Sequence, residues 1–189
     1  PLIPDLPGVH GQKVVTAHDV LAGRVVIPGG NVLVIGGGMV GLEVADYLAD
    51  LGDNPWIGCT NVTVLEMMDT VGADMSGESR AVLLPRLRSK GVKMITSTKV
   101  KEILPDGVKA VNTVKEMRPD FSVAYKEGDK ETVISGFDTL VLAVGACSVD
   151  PLSEKLKGQV SEVYVIGDAR QARKALEAIA EGAEIGRKI

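Results

Sequence analysis

Residues 31–43 (NVLVIGGGMVGLE) decide the fold that the sequence predicts. They begin with a run of apolar, largely β-branched residues, which is typical of a strand buried on both faces. Gly36, Gly38 and Gly41 follow at the G-x-G-x-x-G spacing, and helical periodicity then continues to Leu51. Glycines at these positions allow a tight bend, close approach of the backbone to a pyrophosphate, and close packing of helix on strand. The pattern predicts a strand that turns directly into a helix whose first amides bind the phosphates of a dinucleotide, although a glycine-rich turn that binds nothing would share it.

A second predicted strand, residues 61–66 (NVTVLE), ends on the carboxylate of Glu66. In dinucleotide-binding units, an acidic residue about 20 residues after the glycines accepts hydrogen bonds from the ribose hydroxyls. Glu66 lies somewhat further than that from Gly41 because the connection at residues 53–60 is long, and we expect Trp56 to anchor this insertion by local packing. The sequence therefore predicts that Glu66 binds the adenosine ribose. The alternative is that it merely ends a strand in solvent.

Glu66 also predicts which nicotinamide cofactor fits the site. A 2′-phosphate about 4 Å from this carboxylate would be repelled by roughly 4 kcal/mol at an effective dielectric constant of about 20, which corresponds to about three decades of affinity. The first Arg or Lys that follows Glu66 in the sequence is Arg80. We therefore expect NADH to be favoured over NADPH.

The next part of the chain predicts one helix and then a series of short strands. Residues 77–90 have helical periodicity after a capping residue, Ser76, and Pro85 within them is expected to kink the helix or delay its start. From residue 92 to residue 136, short alternating segments are separated by turn signals, one of them at residues 127–129. This pattern predicts consecutive strands in an antiparallel meander.

Two more apolar strands are expected, at residues 138–145 and 162–168, and a helix at residues 172–185 follows the second. Since the carboxyl ends of parallel strands meet at one edge of the sheet, Gly145 would lie near the cofactor crevice. Asp168 could accept hydrogen bonds from ligand hydroxyls or cap the helix that follows it. The overall prediction is an α/β chain with a Rossmann-like three-layer β/β/α nucleotide-binding fold, in which a parallel sheet has helices on one face and an antiparallel β-meander on the other.

Composition argues against several other kinds of site. The net charge is −4 and only 3% of residues are aromatic, so we expect neither a basic groove nor a base-stacking platform for nucleic acid. The apolar runs are strand-sized and no cleavable leader is recognised, so we expect no membrane association and a cytoplasmic location. Cys59 and Cys147 cannot complete an iron–sulfur or structural zinc site, and His10 and His18 are isolated, so we expect no metal site and no catalytic side chain. Because the chain starts at Pro1 and stops within a helical pattern, we expect it to be a piece of a longer protein.

Five stretches together carry a resemblance to a known family. In chain order they are IPDLPGVHGQKVVTAHDVLAG, VIGGGMVGLE, GADMSGESRAVLLPRL, TLVLAVGA and VYVIGDARQARKALEAIAEG. They resemble the connector, the nicotinamide-nucleotide loop, the next helix, the returning strand and the late FAD motif of the NADH:flavin oxidoreductase, 2,4-dienoyl-CoA reductase and trimethylamine dehydrogenase family. The resemblance covers essentially the whole chain and points to the C-terminal FAD/NAD(P)-binding region of these proteins.

The resemblance implies three parts. Residues 1–29 would be a connector and remnant of an FAD-type domain, residues 30–145 an NADH-binding Rossmann-like domain, and residues 146–189 the C-terminal remnant of the FAD-type domain. Gly167 and Asp168 would belong to the FAD-type fold, with Asp168 facing the ribityl hydroxyls.

The resemblance also implies a set of cofactor-binding residues and a reaction. Glu43 would lie near the nicotinamide end of NADH. The reaction would be hydride transfer from NADH to FAD, with electrons then passing through a 4Fe–4S cluster to FMN and on to a small-molecule substrate. The FMN, the cluster, the flavin barrel and the other half of the FAD-type domain are expected only in the missing N-terminal part, so the chain alone would bind NAD(H), share FAD and show no turnover. The expected cofactor-binding residues are Gly36, Gly37, Gly38, Met39, Val40, Gly41, Glu43, Glu66, Met67, Val144, Gly145, Gly167 and Asp168.

Two other functions remain open at this point. In the amine dehydrogenase branch of the family, the corresponding domain holds an ADP that takes no part in redox chemistry, and Glu66 suits ADP as well as NADH. The second is a non-enzymatic dinucleotide sensor, which would need neither the second glycine-ended strand nor the Gly-Asp-Ala motif at residues 167–169.

Overall fold

The computed structural model describes residues 1–51 and 59–189. These residues form two units, one of Pro1 with Ile3–Gly145 and the other of Leu2 with Ala146–Ile189. The expected packing role of Trp56 lies outside the described residues.

The described residues contain strands and helices in an order that alternates through most of the first unit. The strands are β1 (Val14–Thr16), β2 (Gly30–Ile35), β3 (Thr60–Leu65), β4 (Lys93–Ile95), β5 (Thr98–Leu104), β6 (Gly107–Met117), β7 (Val123–Ser135) and β8 (Thr139–Leu142). The helices are α1 (Ala17–Leu21), α2 (Met39–Leu51), α3 (Gly77–Ser89), α4 (Ser153–Leu156) and α5 (Ala175–Ile185), and a 3-10 turn spans Gly167–Ala169. None of these helices is long and apolar enough to cross a membrane.

The first unit has three layers. Strands β1, β8, β2, β3 and β4 form a parallel sheet in that order, and β5, β6 and β7 form a separate antiparallel sheet. Side chains of β2 alternate between the two faces of the parallel sheet. Val32 and Val34 lie in one apolar core with side chains of α1, α2 and α3, whereas Leu33 and Ile35 lie in a second core with side chains of β5 and β6. The predicted three-layer β/β/α fold is confirmed.

Two details of the predicted meander are wrong. The first strand expected between residues 92 and 136 is β4, which pairs in parallel with β3, because the chain crosses over through α3 and such a crossover returns to the same sheet. The turn expected at residues 127–129 lies inside the continuous strand β7. There the ladder to β6 shifts, and Asn112 Oδ1 accepts a hydrogen bond from Lys130 N–H at 2.9 Å. A Cβ at Gly128 would overlap the Asn112 side chain, so this glycine makes room for a bulge rather than a turn.

Helix α3 follows the predicted pattern except at its proline. Ser76 accepts a hydrogen bond from Ser79 N–H at 3.2 Å and caps the helix. The helix begins at Gly77 and runs through Pro85, so the expected late start is wrong. Pro85 lies on the exposed side of the helix. The buried residues of α3 are Leu83, Leu84 and Leu87.

The second unit lacks the strand predicted at residues 162–168. Ile166 has an extended backbone, with φ −134° and ψ 167°, but Gly167 already begins the 3-10 turn. Within residues 146–189, the described strand pairing is one isolated bridge between Lys157 and Val160. A strand needs a neighbour that satisfies its N–H and C=O groups, so the apolar pattern alone does not produce one. Helix α5 forms but begins later than the predicted residue 172.

Gly41 fixes the contact between α2 and β2 and gives a first testable prediction. A Cβ at this position would overlap the carbonyl oxygen of Gly36 at the end of β2. We expect Gly41→Ala to lower the free energy of unfolding by about 1–3 kcal/mol or more, because helix and strand must separate to admit the methyl group. Chemical denaturation of the purified chain measures this change. Gly77→Ala is the matched control, since a Cβ at Gly77 meets no atom within 4 Å; a Gly41→Ala variant as stable as that control would contradict the prediction.

Candidate nucleotide-binding site

The glycine turn is held between the ends of two neighbouring strands. The chain turns at Gly36, whose φ of +107° lies in the left-handed region that favours glycine. Gly36 N–H donates to the carbonyl oxygen of Leu65 in β3 at 2.9 Å. A Cβ at Gly36 would overlap the carbonyl oxygen of Ala143, which follows β8. The turn therefore lies at the carboxyl edge of the sheet, as the sequence predicts.

Glu66 is bonded directly to this turn. The residue is only 8% exposed. Its Oε2 accepts a hydrogen bond from Gly37 N–H at 2.6 Å, and its Oε1 accepts one from Met68 N–H at 2.8 Å. The alternative in which Glu66 ends a strand in solvent is therefore wrong. A carboxylate has about four acceptor positions, so both oxygens keep capacity for a ligand hydroxyl.

Residues 67–75, which we call the bracing loop, hold the turn from the other side. Gly72 N–H donates to the carbonyl oxygen of Gly37 at 2.7 Å. Both carboxylate oxygens of Asp74 accept from Met39 N–H, the first amide of α2, at 2.9 and 3.1 Å. Sequence reasoning did not single out Asp74, because its partner lies 35 residues away in the chain and no local pattern marks it.

The antiparallel sheet anchors the bracing loop. The carbonyl oxygen of Met67 accepts a hydrogen bond from the Thr113 hydroxyl of β6, while the residue as a whole is 41% exposed. Asp69 accepts hydrogen bonds from Tyr125 and Lys115, which lower the pKa of its carboxyl group below the usual range. The fold thus brings the cation of Lys115 to the loop that follows Glu66. The sequence does not predict this contact, because Lys115 lies 46 residues from Asp69. Its charge is paired with Asp69 at 2.9 Å.

The other predicted residues of the first unit surround the same stretch of chain. Val40 and Glu43 lie in the first turns of α2, and Glu43 lines a cleft of about 520 Å³ with residues of α3. Val144 and Gly145 follow β8, which pairs with β2, so they lie at the same sheet edge as Gly36. A Cβ at Gly36 would lie 3.3 Å from the backbone nitrogen of Val144.

Gly167 and Asp168 belong to the second unit. Glu181, which the sequence did not point to, contacts the same stretch of chain. Glu181 accepts a hydrogen bond from Gly167 N–H at 2.7 Å and pairs with Arg173. Arg173, and next the Gly167 amide, lower the pKa of the Glu181 carboxyl group. Asp168 accepts from Arg173 N–H at 3.3 Å. Helix α5 starts after Lys174 without a side-chain cap, so the alternative role of Asp168 as its cap is wrong.

The chemistry of these groups is that of binding. Among residues 1–51 and 59–189, no group of three or more His, Cys, Asp or Glu side chains could hold a metal ion. The positive end of the α2 dipole lies at the glycine turn and suits an anion, while the amides of Gly36, Gly37 and Met39 are bonded within the chain. Glu66 offers acceptors for hydroxyl groups at the neighbouring strand end. This combination suits the adenosine diphosphate part of a dinucleotide.

Comparisons with known proteins agree with this chemistry. A family model described as pyridine nucleotide-disulphide oxidoreductase matches residues 1–182. A metal reductase of Desulforamulus reducens is 33% identical over 201 residues, covering 95% of this chain and 28% of the relative. An NADH oxidase of Thermoanaerobacter brockii is 35% identical over 193 residues, covering 100% of this chain and 26% of the relative.

A solved structure shares the fold over the full length of the chain. A 2-naphthoyl-CoA reductase in complex with 2-naphthoyl-CoA is 27% identical, with a TM-score of 0.76, covering 100% of this chain and 25% of that one. The chain thus spans about a quarter of the length of each of these proteins. Because the family model matches nearly the whole chain and the three-layer fold carries the expected glycine turn, this chain belongs to the pyridine nucleotide-disulphide oxidoreductase family, as a domain that binds FAD or NAD(P).

Proposed function

We propose that residues 30–145 bind NADH and present it to FAD within a larger NADH:flavin oxidoreductase of the 2,4-dienoyl-CoA reductase and trimethylamine dehydrogenase type. The observation that carries this proposal is the hydrogen bond between Gly37 N–H and the buried carboxylate of Glu66. It joins the phosphate-binding turn to the ribose-binding residue at the carboxyl ends of adjacent strands. The relatives named as an NADH oxidase and a 2-naphthoyl-CoA reductase support a redox role.

The residues present fit a dinucleotide. Gly36 and Gly41 allow the turn and the helix to pack closely, and the positive end of α2, a helix of 13 residues, favours a phosphate at the turn. Glu66 has acceptor positions left for the ribose hydroxyls. NADH, when bound, supplies a hydride for a flavin, and the residues of this chain bind and orient it. We therefore assign no catalytic side chain to the chain, and place Met67, Val144 and Gly145 along the cofactor.

The preference for NADH follows from the electrostatics of Glu66. A 2′-phosphate would meet the buried carboxylate of Glu66. The cations of Lys115 and Arg80 reach the bracing loop in the fold: Lys115 is paired with Asp69, and Arg80 donates a hydrogen bond to the Thr70 hydroxyl. The proposed preference for NADH therefore rests on the charge of Glu66.

The second unit supports a place within a longer protein. Many of its large apolar side chains are exposed, which supports a contact with another part of a protein. The exposed residues within 146–189 are Val149, Leu152, Leu156, Val160, Val163, Tyr164, Ile166, Leu176, Ile179 and Ile189. Residues 14–21 of the expected connector lie in the first unit, because β1 pairs with β8 and α1 contributes Ala17 and Val20 to its core. We propose that residues 146–189 complete an FAD-type domain with a preceding half, and that Gly167 and Asp168 help this domain to bind FAD. The flavin barrel with FMN and a 4Fe–4S cluster would precede both.

An ADP-holding domain of an amine dehydrogenase is the second candidate. The hydrogen bonds of Gly37, Glu66 and Met39 concern only the adenosine diphosphate part, which NADH and ADP share. Rapid bleaching of the flavin when NADH is added to the full-length protein would support the reductase and exclude this candidate.

Binding measurements on the 189-residue chain test the assignment of Glu66. We expect titration calorimetry to show binding of NADH and ADP, and a preference for NADH over NADPH of up to about three decades. Glu66→Gln should narrow this preference, because it removes the charge that repels the 2′-phosphate while keeping an acceptor for Gly37 N–H. Glu116→Gln is the matched control, since Glu116 pairs with Lys126 on the antiparallel sheet. Equal affinity of the wild-type chain for NADH and NADPH would refute the assignment.

Activity measurements test the proposed division of labour between this chain and the rest of the protein. We expect the purified chain to oxidise no NADH, because the flavin that accepts the hydride is held mainly outside it. The absorbance of NADH at its long-wavelength band, followed with and without added FAD, measures this. Steady NADH oxidation by the chain without an added flavoprotein would show that it is a complete enzyme.

A further inference from the structure

The first amide of α2 is bonded to an anion that belongs to the chain itself. Met39 N–H donates to both oxygens of Asp74, at 2.9 and 3.1 Å. A Cβ at Gly38 would come within 3.2 Å of Asp74 Oδ2, so the carboxylate lies directly against the glycine turn. Asp74 is nevertheless an exposed residue.

The proposed function assigns this same position to a phosphate. The missing side chain of Gly38 and the positive end of α2 favour one anion in front of Met39 N–H. A carboxylate oxygen and a phosphate oxygen would compete for the same donor, and two negative charges about 4 Å apart repel each other strongly at a protein surface. Asp74 and a bound diphosphate are therefore alternatives at this amide.

We propose that Asp74 is an internal competitor of the dinucleotide, which occupies the phosphate position at the start of α2 and thereby sets the affinity of the site. This inference rests on the proposed function of the first unit. The dinucleotide binds only when the Asp74 carboxylate leaves Met39, so part of its binding free energy offsets the loss of that bond. A ligand without phosphate does not need this displacement.

The structure allows Asp74 to leave without opening the bracing loop. On one side of it, Gly72 N–H stays bonded to the carbonyl oxygen of Gly37. On the other side, Ser76 stays bonded to Ser79 N–H at the start of α3. The displacement therefore concerns the short stretch between Gly72 and Ser76, and the bond between Glu66 and Gly37 is separate from it.

Asp74→Asn in the 189-residue chain tests the inference. Asparagine keeps an oxygen for Met39 N–H, so α2 keeps its cap, but the negative charge is removed. We expect titration calorimetry to show about tenfold tighter binding of NADH and ADP, and ligand-observed NMR to show unchanged binding of adenosine. Asp120→Asn is the matched control, with the same change of charge in the turn between β6 and β7, where Asp120 bonds Ser122. This control should bind all three ligands as the wild type does.

The outcomes separate this inference from the proposed function. If the wild-type chain binds NADH and Asp74→Asn binds it no more tightly, or more weakly, Asp74 only caps the helix and the inference is overturned while the proposed function stands. Equal tightening by Asp120→Asn, or tightening for adenosine as well, would also overturn it, because the cause would then be net charge or loop structure. If neither the wild type nor Asp74→Asn binds NADH or ADP, the proposed function fails and the inference fails with it.

Discussion

The hydrogen bond between Gly37 N–H and the carboxylate of Glu66 is the interaction on which the arrangement of the first unit depends. A buried carboxylate is costly unless donors satisfy it, and Glu66 obtains its donors from the glycine turn and from Met68. The turn, in return, has one of its amides fixed by a side chain of the neighbouring strand. The hydrogen bond from Gly37 to the Glu66 carboxylate thus holds the ends of β2 and β3 together.

The antiparallel sheet has a larger role than covering one face of the parallel sheet. Thr98 N–H donates to the carbonyl oxygen of Glu66, and the Thr113 hydroxyl donates to that of Met67, so β5 and β6 hold the backbone at Glu66 and at the residue after it. Lys115 and Tyr125 fix Asp69 further along the bracing loop. The loop that faces the glycine turn is therefore positioned by both sheets, which makes its geometry a property of the whole unit rather than of its own sequence.

The sequence predicted what depends on local periodicity and on residues with special backbone or capping roles. The glycine spacing from Gly36 to Gly41 located the strand–turn–helix, and Ser76 located the start of α3, because both act on the backbone within a few residues. Glu66 could be placed at a strand end, but not bonded to Gly37, since that contact spans 29 residues. The roles of Asp74 and Lys115 could not be predicted from the sequence for the same reason. Their partners lie 35 and 46 residues away, and only the folded chain brings them together.

The errors have a common physical origin in what a strand requires. Residues 162–168 have the composition of a strand, but no described neighbour in the second unit completes its hydrogen bonds. Residues 127–129 have the composition of a turn, but β6 offers a ladder that continues through them, and Gly128 accommodates the Asn112 side chain. In both cases the neighbour, not the local pattern, decides the outcome.

The burial of Glu66 has a consequence for any redesign of the proposed cofactor preference. Its two oxygens accept hydrogen bonds from the amides of Gly37 and Met68, so exchanging it for a small or cationic residue would leave both amides without an acceptor and loosen the turn itself. An engineer who wants a domain selective for the phosphorylated cofactor must supply replacement acceptors for both amides, and only then add positive charge at the rim. Under the proposed function, cofactor selectivity and the stability of the turn depend on the same side chain, so a change made for the first must also restore the second.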